Sequence, residues 1–89
     1  MQAGAKSNRG WGPRKSRTPN SIDRHIGARL REFREARGMA QAELAHTIGV
    51  SEAQIEEYEI GAARIAAAQL FRITRVLGIA ASALFDGLA

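Results

Sequence analysis

Few side chains in this 89-residue sequence are placed to do chemistry, and each set meets an obstacle to catalysis. Ser51 opens Ser51-Glu52-Ala53-Gln54, a pattern in which serine caps a helix, and no base is paired with it to make it a nucleophile. Glu56 and Glu57 are neighbours; on a helix they face about 100° apart and cannot serve one substrate as an acid–base pair. His25 and His46 lie too far apart to suggest a metal pair, and His46 reads as a surface or boundary residue. With no cysteine there is no thiolate, disulfide or zinc finger. Glycine-rich phosphate loops are absent as well. The expectation is a protein that is not an enzyme and carries no metal and no cofactor. What remains is recognition chemistry: amides and carboxylates at Gln41, Glu52, Gln54 and Glu57, and cations at Arg14, Lys15 and Arg17.

Positioning those groups falls to helices. From Ser21 onward the apolar residues follow a helical period, with no alternating strand-like run. Ile26, Leu30 and Phe33 share one face of a first helix over about 21–37, capped by Asn20 or Ser21 and stopped by Gly38. A second helix over about 41–48 turns Leu44, Ala45 and Ile48 inward. Gly49-Val50 makes the turn into a third, about 51–59, with Ile55 inward. The fourth, about 66–77, buries Leu70, Ile73 and Leu77, and a last short element over about 81–85 adds Leu84 and Phe85 to the core; Leu88 stays open between core and contact. The fold class expected is a compact all-α domain of five helices over residues 21–89.

Charge divides the chain. Residues 1–20 hold Lys6, Arg9, Arg14, Lys15 and Arg17 and no acid, whereas the remainder holds eight arginines against nine acids. All the net basicity of the +4 chain is therefore in the first twenty residues. Rich in Gly, Ser and Asn and without period, that segment cannot bury enough apolar surface to offset its ordering entropy, so disorder is expected. It reads either as a basic arm that follows nucleic-acid phosphate or enters a minor groove, with Trp11 as a stacking group, or as a solubilising leader. No stretch nears the roughly 20 apolar residues of a membrane span and no apolar signal core is seen, which gives a soluble cytoplasmic chain as the expectation.

Helices two and three are joined by two or three residues with glycine first, which is the helix-turn-helix arrangement over about 41–60. Around it the sequence resembles the Cro/lambda-repressor-like (XRE-type) family. The resemblance rests on Ile26-Gly27-x-Arg29-Leu30-Arg31-x-x-Arg34, Gly38-Met39-x-Gln41-x-Glu43-Leu44-Ala45 and Ile48-Gly49-Val50-Ser51-x-x-x-Ile55-x-x-Tyr58-Glu59-x-Gly61, closing with Leu77-Gly78-Ile79 and Leu84-Phe85. It covers about residues 22–87. It implies a lambda-repressor-like fold and a DNA-binding transcriptional regulator of bacterial type, nucleoid-associated when bound to double-stranded DNA.

Position by position, the resemblance implies that Gln41, at the start of helix two, hydrogen-bonds a phosphate and sometimes a base. Ser51, Glu52, Ala53, Gln54 and Glu57 lie on the base- and phosphate-facing side of the recognition helix. Arg37 at the end of helix one joins the phosphate contacts, and Arg64 either meets phosphate or lies over helix four. Arg34 and Glu59 match a structural ion pair. A homodimer reading two half-sites is the family's habit.

One departure weighs against this. From Ala40 to Ala62 the chain has Glu43, Glu52, Glu56, Glu57 and Glu59 and no Lys or Arg, and a phosphate backbone repels such a surface. Glutamate accepting from cytosine N4, Ala53 against a thymine methyl and Gln54 on adenine keep direct readout open. The alternative is a protein-interaction module of the same fold, which binds a basic partner through Glu52, Glu56 and Glu57 and has lost DNA.

Overall fold

The computed structural model describes residues 20–88, and among these there is helix and loop but no strand. The helices are α1 (Ser21–Ala36), α2 (Gln41–Ile48), α3 (Glu52–Glu59), α4 (Ala67–Leu77) and α5 (Ala81–Phe85). Each lies within a residue or two of its expected bounds.

Their starts follow from hydrogen-bonding residues at the boundaries. Asn20, not Ser21, caps α1: its Oδ1 accepts from the N–H groups of Ile22 (2.9 Å) and Asp23 (3.1 Å), while Asp23 Oδ2 accepts from the Asn20 N–H at 2.8 Å. Ser51 caps α3, its Oγ accepting from the Gln54 N–H at 3.0 Å. The reciprocal half of that expected box is not made. The Gln54 amide instead lies 3.5 Å from Glu57 Oε1, one turn along the helix, so Ser51 alone caps it.

Nine buried side chains form one core: Leu30, Leu44, Ala45, Ile48, Ile55, Tyr58, Ile73, Leu77 and Leu84. Six of them are fully enclosed, and each contributes about 1.5–3 kcal/mol of hydrophobic stabilisation. The helix α3 packs on both α1 and α2, α5 on α1, and α2 on α4. One expected core residue turns outward and another stays half-buried against the core. Phe85 is 40% exposed, because α5 makes only about one and a half turns and Leu84 takes its inward direction. Leu70 is half-buried, and Leu88 is 37% exposed.

Two glycines set the crossing of α3. Gly49, at φ 80°, takes the left-handed conformation that ends α2 and starts the turn. Gly27 is helical, but a Cβ there would stand 2.1 Å from the Tyr58 carbonyl oxygen. Only glycine lets the backbones of α1 and α3 approach so closely.

Candidate nucleic-acid interface

The turn between α2 and α3 is held by the N–H groups of Gly49 and Val50, which both donate to the Ala45 carbonyl at 2.9 and 3.0 Å. Ile55, Tyr58 and Glu59 face the core. That leaves Glu52, Ala53, Glu56 and Glu57 exposed, with Gln54 half-buried beside them. Ser51, at the N-terminal cap, is exposed too. The expected reading residues therefore share one outward face.

Behind that face, α1, α2 and α3 are clamped through Glu59. Arg34 Nε donates to Glu59 Oε2 at 2.6 Å and its Nη2 to Oε1 at 3.2 Å, while Nη1 donates to the Met39 carbonyl at 2.6 Å. Both residues of the pair are buried. Gln41 completes the cluster: its Nε2 donates to Glu59 Oε1 at 2.9 Å and to Glu56 Oε1 at 2.7 Å. The amide protons expected to meet phosphate thus point to carboxylates, fixing the start of α2 to α3. At the same end, α2 is preceded by Ala40, whose methyl accepts nothing, and the first-turn N–H groups have no side-chain cap. Glu43 Oε1 accepts from the Ala40 N–H at 2.9 Å. An uncapped helix start of this kind presents N–H donors and a positive dipole to an anion.

The remaining arginines spread apart. Arg64, in the α3–α4 loop, donates from Nε and Nη2 to Asp23 Oδ1 and Oδ2, both at 3.3 Å. It ties that loop to the first turn of α1, an arrangement that neither sequence reading of Arg64 contained. Burial works to raise the Asp23 carboxyl, but hydrogen bonds from Arg64 and the Asn20 backbone, with the Arg64 and Arg24 charges, hold it below its ordinary 3.8. Arg37 is exposed, with its guanidinium beside Gly78 at the end of α4. Arg14, Lys15 and Arg17 lie outside the described residues. On the tyrosine of α3, burial and the Glu57 charge raise the Tyr58 hydroxyl.

The sequence reading missed two links, Gln41 to Glu56 and Arg64 to Asp23. The second spans 41 residues and leaves no periodic signal. The first leaves none either, because it depends on where α3 crosses α2. Among the described residues no cluster of three or more His, Asp or Glu could hold a metal, and no helix is long and apolar enough to cross a membrane.

Residues 30–84 match the model of the helix-turn-helix family. An uncharacterized HTH-type transcriptional regulator from Sinorhizobium fredii is 39% identical over 70 residues, which are 79% of this chain and 49% of that protein. The chain thus spans about half the length of such curated relatives. Among solved structures, the restriction-modification controller protein C.AhdI from Aeromonas hydrophila superposes with a TM-score of 0.70 at 27% identity, covering 74% of this chain and all of that one. SinR, a master regulator for biofilm formation solved in complex with DNA, gives 0.64 at 26% identity, covering 68% of this chain and 98% of its own. The fold also occurs within an enzyme: hydroxypropylphosphonic acid epoxidase from S. wedmorenis gives 0.65 at 30% identity, over 70% of this chain and 33% of that one.

Proposed function

The chain belongs to the helix-turn-helix family, and from that membership we propose that it is a DNA-binding transcriptional regulator, not an enzyme, setting α3 into the major groove of double-stranded DNA. The observation that carries this reading is the clamp around Glu59. It fixes α2 and α3 relative to α1 and spends Arg34, Gln41 and Glu59 inside the domain. The outward face of α3 is then free for bases. Glu52 and Glu57 offer acceptors suited to the cytosine amino group, Ala53 a methyl for thymine, and Gln54 a donor–acceptor pair for adenine.

Phosphate contacts come from three places in this reading. The uncapped first turn of α2 supplies backbone N–H groups, in place of the Gln41 side chain. Arg37 and the exposed part of Arg64 add charge. The segment carrying Arg14, Lys15 and Arg17 joins the domain at Asn20, whose neighbour Asp23 holds Arg64 of the loop after α3. Bound in this way the protein is nucleoid-associated, and a second copy would let it read two half-sites.

A second reading rests on the exposed carboxylates. Glu52, Glu56 and Glu57 lie on a helix without a single Lys or Arg, which suits a basic protein partner. Selection from random duplexes with the full chain separates the two. The regulator reading expects an enriched motif with cytosine or adenine opposite Glu52, and Glu52→Gln shifting the preference toward adenine. A pool that never departs from random counts against it.

A further inference from the structure

A groove of about 410 Å³ opens between the first turn of α1, the α3–α4 loop, the start of α4 and the end of α5. Its walls are Ile22, Ile26, Ile65, Ala67, Leu70 and Phe85. Two of these, Ile22 at 47% and Phe85 at 40%, are large apolar side chains left open to water. Its polar edge is Asn20 with the Asp23–Arg64 pair. The groove lies away from the outward face of α3, and although Arg64 at its edge is also among the proposed phosphate contacts, what fills its apolar walls does not rest on that proposal.

We infer that this groove is the docking site of the chain's own Trp11, inserted as an intramolecular anchor. The occupant is chosen by what precedes the groove. Asn20 lines it, and the nineteen residues before Asn20 join the domain there. Trp11 is their one aromatic side chain. Eight residues lie between it and Asn20, a reach of up to roughly 30 Å, so the groove is well within range. A tether this short holds the indole at an effective concentration on the order of millimolar, which populates even a weak contact. The groove's volume accepts an indole with its flanking glycines, Gly10 and Gly12, which add no bulk of their own. Its apolar walls meet the ring face, and the oxygens of Asn20 and Asp23 stand at the edge where an indole N–H needs an acceptor.

Anchoring at Trp11 and at Asn20 closes residues 12–19 into a loop. Arg14, Lys15 and Arg17 are then displayed together beside Arg64 and not along a free tail. Loss of the anchor would disperse that charge without removing it.

Trp11 is the sole tryptophan, so its fluorescence reports the contact directly in the full chain. The expected result is emission to the blue of a free peptide of residues 1–19, with acrylamide quenching roughly threefold weaker, as most of an aromatic surface of about 150–250 Å² leaves water. Both signatures hold across a wide range of protein concentration. Ala67→Leu, which fills the groove, and Phe85→Asp, which charges its wall, each return the emission to that of the peptide while circular dichroism shows the helices intact. Emission and quenching of the full chain equal to those of the peptide overturn the inference. So does protection that survives both variants, which places the indole elsewhere, or protection that grows with concentration, which assigns the groove to a second copy.

Discussion

Arg34 of α1 and Glu59 of α3 form a two-point ion pair, 2.6 Å from Nε to Oε2 and 3.2 Å from Nη2 to Oε1. The Arg34 side chain is 9% exposed and that of Glu59 1%, so neither charge has water to fall back on. The third Arg34 nitrogen and the Gln41 amide satisfy what the pair leaves over. The pair therefore holds α3 in place against α1.

Removing one partner strands the other charge in the core. Arg34→Ala or Glu59→Ala is expected to cost about 3–5 kcal/mol, whereas Arg34→Met with Glu59→Met recovers much of that loss. Urea midpoints of the three variants check this. Single changes costing under about 1 kcal/mol, the range of an exposed pair, would mean the pair is solvated.

Gly27 gives a test with the opposite sign from helix propensity. Glycine to alanine inside a helix ordinarily gains up to about 1 kcal/mol. Here the new Cβ would stand 2.1 Å from the Tyr58 carbonyl oxygen, so Gly27→Ala is expected to destabilise by about 1–3 kcal/mol through overpacking. Thermal unfolding decides it, and a raised melting temperature would remove the close approach of α1 and α3 from the account.

The folded Asp23 carboxyl lies below its unfolded value of 3.8. A depressed carboxyl adds stability that is fully present above the unfolded pKa and is lost as pH falls through the folded one. The Asp23–Arg64 link should thus persist from neutral pH down to about 4 and fade below. Asp23→Asn should be less stable than the native chain at pH 7, and the difference should shrink in acid below pH 3.8. A gap of constant size down to pH 2 would mean the carboxylate charge contributes nothing.

Charge on α3 can be altered without touching the core, since Glu52 and Glu57 are exposed. Changing both to glutamine removes two negative charges from the surface proposed to meet DNA. Non-specific DNA affinity is expected to rise, with unchanged thermal stability, because the acids there repel the backbone. In a protein-interaction module the same double variant would instead lose a basic partner and gain no DNA.

Much of the fold was legible because it depends on local rules. The apolar spacing of Ile26, Leu30 and Phe33, the cap at Ser51 and the glycine at 49 act within one or two turns, and α1 to α5 fall where they point. The Arg34–Glu59 pair was legible through the family resemblance alone. Phe85 was misjudged because a five-residue helix carries too little periodicity to say which of two adjacent apolar residues turns inward. The inward use of Gln41 depends on where Glu56 and Glu59 lie once α3 has crossed α2. No spacing within either helix encodes that, and the same holds for Arg64 with Asp23. The outward face of α3 follows from Ile55 and Tyr58 being core, so the positions of the candidate readers were legible.

We propose that the domain docks on DNA through α3 while the basic segment supplies phosphate contacts. It is tested most directly by fluorescence anisotropy on a random duplex at about 50 and 200 mM salt, comparing the full chain with the Arg14→Gln, Lys15→Gln, Arg17→Gln triple variant. Binding should weaken with salt, at a slope about 0.9 smaller for each cation removed that had met a phosphate. No binding by the full chain at the lower salt, or a slope untouched by the triple change, would contradict it.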